Sequence, residues 1–389
     1  MSSPALQPRF LGAIGDIDAA QWNAIAPDYP FLRHEFLHTL ERTGCVSPAT
    51  GWAPHHLLIQ RDGRLVAAAP LYEKSHSWGE FVFDFAWSRA FEERRLPYYP
   101  KFLLALPFTP ATGPRLLVAP GEDAAAVQRA ALATIEAEAR RRGRSNAHVL
   151  FMDEPLREQC ARAGWLLRSD CHFQWHNRGY GTFEDFLATF SADKRKKARR
   201  ERRRVAEAGI HFRTLRGHEL DETLLAVIFG FHANTFAAHG HLPYLNLAAL
   251  RGLAHGLGEQ MLVKLAVQGD EPVAMAVFFR GGDTLYGRYW GAGGEFHSLH
   301  FETCYYQGIE LCLELGLQRF EPGTQGEHKL ARGFEPALTW SAHWIADPTM
   351  RSAIGAYLRR EQRAVESYAE EAAAHLPYRQ GETPDGVGP

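Results

Sequence analysis

The chain has 389 residues, 46% of them hydrophobic and 23% charged, with a formal net charge of −2. That composition excludes a disordered chain, the near-zero charge singles out no partner, and the length exceeds what one ordinary core sustains, so two domains are expected. No apolar run approaches the roughly 20 residues of a membrane span, MSSPALQPRF lacks a signal-peptide core, and the five Cys form no C-x-x-C pair, which fits reduced thiols in a cytoplasmic protein.

Residues 34–38 read HEFLH and match the zinc-protease pattern H-E-x-x-H, in which two His one helical turn apart bind Zn²⁺ and the Glu acts as base. The third ligand is missing. Where a metzincin continues with Gly and His, this chain has Glu41 and Gly44, and Glu73 and Glu80 fall in strand or loop sequence. At about 100° per residue, Phe36, Leu37 and Leu40 form the buried stripe, with His34 and His38 pointing away from it. An amphipathic helix with His on its rim is expected, with no metal, and a zinc metallopeptidase is the least favoured functional reading.

LLIQRDGRLVAAAPLYE (57–73) sets two apolar runs around an Asp-Gly turn, a hairpin signature. KLAVQGDEPVAMAVFFR (264–280) repeats the layout, with Ile59 and Gln60 aligning on Val267 and Gln268. The repeat predicts two related α/β units. In the first, residues 74–87 and 97–115 crowd Lys74, His76, Glu80, Asp84, Tyr98, Tyr99, Lys101, Thr109 and Arg115 among aromatics and prolines, the make-up of a preformed ligand groove. RLLVAP, an Ala-rich helix at about 122–142, the strand NAHVLFM and the strand-like GWLLRSDCHFQWH come after it. A boundary near 177–182 divides domain 1–176 from domain 177–389.

The second unit carries KRKKARRERRR (194–204), nine basic residues in eleven, in a helix expected over 193–208. Its plain reading is a solvated helix. Its functional reading is an anion site for cofactor phosphates, a nucleic-acid backbone or acidic lipid headgroups, through Lys194, Lys196, Lys197, Arg199 and Arg200. No aromatics interleave it for base stacking.

The strand IHFRTLR, a helical stretch, the repeated hairpin, DTLYGRYWG and the helix LHFETCYYQGIELCLELG come next. LQRFEPG, the loop TQGEHKLARGF, the strand-like ALTWSAHWI, a C-terminal helix over 349–375 and a frayed QGETPDGVGP complete a mixed α/β (α+β) pattern. Ligands lie beyond the carboxyl ends of strands in such sheets, which draws YGRYWG, HFETCYYQ and EPGTQGEHKLARG together. Glu327, His328 and Glu321 are the candidate bases there, with Lys329, Arg332 and Arg288 as charge stabilisers. Arg288, Tyr289, Trp290, Glu302, Tyr305, Tyr306 and Gln325 are candidate substrate contacts. Apolar spacing puts Phe301, Cys304, Tyr305 and Cys312 on one buried face and leaves Glu302 and Tyr306 off it. There is no G-x-S-x-G or P-loop to support nucleophilic hydrolysis or NTP chemistry.

KSHSWGEFVFDFAW, YYPK, PFTPATGPRLL, FQWHNRGY, KRKKARRERRRV, DTLYGRYWG, HFETCYYQGIE, EPGTQGEHKLARGF and SAHWI together resemble the FemAB-like predicted N-acyltransferases, a group labelled peptidoglycan biosynthesis or recognition proteins. The resemblance spans about residues 20–346. It implies two tandem GNAT-like acyltransferase domains, with the C-terminal helix after them, and an HEFL segment that packs and binds no zinc.

It further implies transfer of an acyl or aminoacyl group from acyl-CoA, acyl carrier protein or aminoacyl-tRNA as co-substrate, with no resident cofactor. The acceptor is an amine from cell-envelope or lipid synthesis, sphingoid bases included. The chain departs from the usual GNAT pattern in lacking an R/Q-x-x-G-x-G/A pyrophosphate loop, and from some Fem enzymes in lacking a long coiled-coil insertion. The implied location is the cytoplasm, with peripheral contact to an anionic inner-membrane surface among the partners of the basic helix, beside tRNA and acyl carrier protein. A non-catalytic recognition protein for the same precursors is the alternative.

Overall fold

The computed structural model describes residues 6–324 and 326–379. Its first strands are β1 (Gln7–Leu11), β2 (Trp52–Pro54), β3 (His56–Arg61), β4 (Arg64–Ala69) and β5 (Leu71–Lys74). β3 and β4 form the expected hairpin, and Asp62 and Gly63 at its tip both take positive φ, 51° and 75°, as a two-residue type I′ turn requires. Pro70 has no N–H to give a ladder, so pairing does not run through it. β4 therefore stays in the sheet β1-β3-β4-β7, with β7 at Leu117–Val118 after β6 at Lys101–Leu104, while β5 pairs β2 and β6 in a second sheet. β6 runs parallel to β8 (Asn146–Leu150). A parallel pair needs a crossover, supplied by helix Ala124–Arg141, which buries Val127, Ala131 and Ile135 against Leu104 and Val149.

The chain then forms β9 (Leu166–His176), β10 (Ile210–Arg216), β11 (Met261–Gln268), β12 (Glu271–Gly281), β13 (Thr284–Ala292), β14 (Arg319–Glu321) and β15 (Glu335–Ile345). β10 to β13 pair antiparallel in order and β13 runs parallel to β14 across a second helical crossover. The repeat is thus real in three dimensions: each hairpin carries a register shift beside its turn, at Ile59/Gln60 and at Ala266/Val267. Helix Phe183–Ala188 starts with a capping box in which Thr182 Oγ1 accepts from Asp185 N and Asp185 accepts from Thr182 N. Thr182→Ala is expected to lower stability by about 1 kcal/mol, read by urea denaturation; no change would mean the cap is not formed in solution.

The chain divides into two units, one running to Asp170 and taking in Thr339–Val365, the other Cys171–Leu338 with the residues from Glu366 on. This corrects the contiguous division 1–176 and 177–389. The reason is pairing: Ser341–Ile345 of β15 lie against Asn146–Leu150 of β8, and Met350, Ile354 and Leu358 of helix Pro348–Ala374 pack on Trp87, Phe91 and Tyr98. Residues 74–87, expected to form part of a ligand groove, run at their end into helix Phe85–Glu93, which begins at Phe85. The expected helix over LHFETCYYQGIELCLELG is interrupted by a π-helical turn at Glu302–Tyr306. The extra residue of a π turn rotates the next positions around the helix axis, so Glu302 and Tyr306, expected off the buried face, are buried. The tail after Arg379 lies outside the described residues.

Candidate functional site

After β14 the backbone turns through Gly323 and Gly326, with φ of 99° and 112°. A Cβ on Gly326 would sit 2.1 Å from His328 Cε1, so only Gly leaves room for the ring. The 3-10 turn Glu327–Arg332 exposes Glu327 and His328 and buries Lys329 and Arg332. His328 Nε2 lies 2.8 Å from the Tyr305 hydroxyl. Its ring packs 5.4 Å from Phe301, 5.5 Å from Tyr305 and 6.0 Å from His300, centroid to centroid. Partial burial, with the charges of Lys329 and Arg332, lowers the His328 pKa, so the imidazole is neutral at neutral pH. Burial holds Lys329 down to about 7, and its Nζ donates to the Gly323 carbonyl at 2.6 Å.

Arg332 was expected as a charge stabiliser, but its guanidinium is engaged. Nη2 donates to both Glu201 carboxylate oxygens at 2.9 Å, Nη1 donates to the His328 carbonyl at 2.6 Å, and the group lies 3.5 Å from the Phe301 ring centroid. Tyr306 donates to the same Glu201 at 2.7 Å. Arg332 therefore anchors the backbone that carries His328. Glu201 was not singled out from sequence; its signal was a lone acid within the basic run, spaced with Ala198 and Val205 along one helical stripe.

Of the other candidates, Glu302 is buried against Arg202 (3.2 Å) and Gln307 (2.9 Å). Glu321 is buried 3.8 Å from Arg319, and Glu327 accepts from Tyr368 at 3.0 Å. Arg288, Tyr289 and Trp290 do not converge: Tyr289 packs on His232 of helix Glu222–Ala238, Trp290 packs on His300, and Arg288 lies over Tyr289. Neighbouring strand positions face opposite sides of a sheet, which is why Tyr289 and Trp290 part to different partners. Gln325 lies outside the described residues.

The basic helix spans Ala192–Glu207 and buries Ala198, Glu201 and Val205. Arg199 is paired with Glu184. Lys194, Lys196, Lys197 and Arg200 are exposed and form no ion pair among the described residues. Arg195, Lys196, Arg199, Arg200 and Arg203 line a groove of about 380 Å³.

In the first unit, the residues expected to form an open groove make a sealed ion network instead. Lys101 Nζ donates to Ser77 Oγ and Glu80 Oε2 at 2.8 Å and to Asp84 Oδ2 at 2.5 Å. Tyr98 donates to Asp84 at 2.6 Å, and Tyr99 shares a 2.7 Å bond with Ser77. Lys74 sits 3.9 Å over Trp52 and donates to the Trp78 carbonyl. Lys74, Glu80, Asp84, Tyr98 and Lys101 are all buried; Tyr99 and His76 are partly exposed. Arg115, also fully buried, gives its guanidinium to backbone carbonyls. Burial pushes Lys74 down to about 7 and Glu80 up to about 7. Burial works to raise Asp84, but Lys101 holds its carboxyl below the ordinary range.

His34 is a correction too. It is 8% exposed, its Nε2 lies 3.0 Å from the Ile14 carbonyl, and it stacks on His38 at 5.4 Å. A carbonyl from a preceding turn, not visible in a helical wheel, draws it inward. Among the described residues no three His, Cys, Asp or Glu are grouped so as to hold a metal, and no helix is long and apolar enough to cross a membrane.

The two units, each with an antiparallel hairpin and then a helix-linked parallel pair, define a mixed α+β protein of two related units in tandem. The family profile described as FemAB-like, peptidoglycan biosynthesis/recognition, matches residues 13–380, and the chain belongs to that family. Among solved structures it is similar to FemX, at 12% identity over 82% of this chain and 93% of that one, with a TM-score of 0.52. It is also similar to the C-terminal domain of a putative lysylphosphatidylglycerol synthetase from Agrobacterium fabrum, at 11% identity, 88% and 95% coverage and a TM-score of 0.52. L-PGS from Bacillus licheniformis matches at 9% identity, 84% and 96% coverage and a TM-score of 0.50. At these identities the likeness is one of fold. No curated protein matches the chain.

Proposed function

We propose that the protein is an N-acyltransferase that moves an acyl or aminoacyl group from a phosphate-bearing thioester or ester to an amine of a cell-envelope or lipid precursor. The observation that carries this is an exposed, neutral His328, held by Tyr305 inside a ring of aromatics and beside buried Lys329 and Arg332. The amine attacks the donor carbonyl, His328 takes its proton, and the proton passes on to the departing thiol or hydroxyl. With Nε2 held by Tyr305, Nδ1 is the atom left to take the proton. Membership of a peptidoglycan biosynthesis/recognition family supports the acceptor class. The fold shared with FemX and with the C-terminal domain of a putative lysylphosphatidylglycerol synthetase supports an aminoacyl or acyl donor.

The test is to offer purified protein acyl-CoA, acyl carrier protein thioester and aminoacyl-tRNA in turn, with an aminolipid or peptidoglycan precursor, and look for the amide by mass spectrometry. One donor is expected to yield amide; none doing so would favour a recognition protein without turnover. Donor phosphates are assigned to the groove on helix Ala192–Glu207. Lys196, Lys197 and Arg200 changed to Ala together are expected to flatten the slope of log affinity against log salt for tRNA by about 2–3, and an unchanged slope would remove the helix from donor binding.

A further inference from the structure

NAH at 146–148 and SAH at 341–343 play no part in the site around His328, yet they face each other in the first unit. β8 and β15 pair antiparallel with His343 directly opposite His148. Alternate strand positions share a face, so Asn146, His148, Ser341 and His343 make one polar row. All four are buried, at 0%, 1%, 4% and 0% exposure.

The direction of every hydrogen bond in the row is set by one fixed end. The Tyr98 carbonyl can only accept, so the Asn146 amide nitrogen, 3.0 Å away, faces it. Asn146 Oδ1 is left to accept from His148 Nε2 at 2.6 Å. A neutral His148 protonated on Nε2 has a bare lone pair at Nδ1, which accepts from His343 Nδ1–H. His343 Nε2 is then a lone pair in turn, and Ser341 Oγ, 3.0 Å away, donates to it. Burial pushes both imidazoles well below the ordinary His range, keeping the pair neutral. Trp87 fixes them, edge-on to His343 at 4.8 Å and stacked on His148 at 6.2 Å.

Ser341 also lines a cavity of about 50 Å³, bounded by Val82, Phe83, Arg168, Ser169 and Trp340. Ser169 is 3% exposed and its Oγ has no hydrogen-bond partner among the described residues. Buried polar atoms are rarely left so, and Ser169 lines the same cavity as Ser341. Arg168, on the same wall, is already tied to Glu361 at 2.7 and 2.8 Å.

We propose that Ser341 is a nucleophilic serine, primed by the His343–His148–Asn146 row, that takes a short acyl group from an activated ester or thioester while the Ser169 hydroxyl donates to the carbonyl oxygen. Oγ bonds to the carbonyl carbon as its proton moves to His343 Nε2; the carbon–oxygen or carbon–sulfur bond to the leaving group then breaks, and that group departs with the proton. The products are an acyl ester of Ser341 and a free alcohol or thiol. Room for about four water-sized groups suits an acetyl better than a long chain. The site is independent of the chemistry assigned to His328.

The test uses the full chain and p-nitrophenyl acetate, reading p-nitrophenolate release and the mass of the peptide containing Ser341. The expected result is an acetyl ester on Ser341, with a burst or steady release that Ser341→Ala abolishes while circular dichroism is unchanged. Ser169→Ala is expected to slow the release about 100-fold. Release that survives Ser341→Ala, or the absence of any Ser341 ester in the acid-quenched protein, overturns the proposal.

Discussion

Lys101→Met is expected to destabilise the first unit by about 3–5 kcal/mol, the range for removing one partner of a buried ion pair. The side chain keeps its approximate length, so packing changes little and the electrostatic loss dominates. Glu80 and Asp84, 4% and 2% exposed, would be left without the ammonium that both face. Replacing all three charges together, Lys101→Met with Glu80→Gln and Asp84→Asn, is expected to recover most of the loss, because neither buried carboxylate is then left charged without its ammonium. Urea denaturation of the single and triple variants reads both effects. A single-variant loss below about 1 kcal/mol would mean that water reaches the carboxylates, and the sealed network would have to be abandoned.

His328→Ala is expected to lower amide formation by about 10²–10⁴-fold, the usual contribution of a positioned general base. The effect should fall on kcat, because the proposed donor-phosphate groove on helix Ala192–Glu207 does not include His328. Because His328 is exposed, the variant should fold normally. Tyr305→Phe removes only the hydroxyl 2.8 Å from Nε2, so it should weaken the orientation of the ring without abolishing turnover. Full activity in His328→Ala would move the proton transfer elsewhere, to Glu321, Glu327 or water.

Much of the fold was legible because local chemistry fixed it. Asp62-Gly63 specified a turn, alternating apolar residues specified the strands around it, and IHFRTLR became β10 over the expected residues. The family motifs carried the tandem architecture. The features that could not be read depended on partners distant in sequence. Helical periodicity misplaced Glu302 and Tyr306 because it assumes 3.6 residues per turn, and a π turn adds one. A polar, aromatic segment reads the same whether it lines a groove or closes over Lys101, since residue type does not reveal burial. Glu201 was masked by the nine basic residues around it, and Ser341-Ala-His343 had no visible meaning until β15 met β8.

The pH dependence of kcat/KM for amide formation, measured with wild type and His328→Ala side by side, tests the assignment of His328 most directly. Burial, Lys329 and Arg332 all disfavour the imidazolium, while the neighbouring His300 is held neutral by burial, near a pKa of about 4, and Tyr305 stays protonated. A base of lowered pKa is active above that pKa and fails as pH drops through it. The expected result is therefore an acid limb centred below the ordinary His value of about 6.5 in wild type, and no such limb in the variant. The same limb persisting in His328→Ala would contradict the assignment.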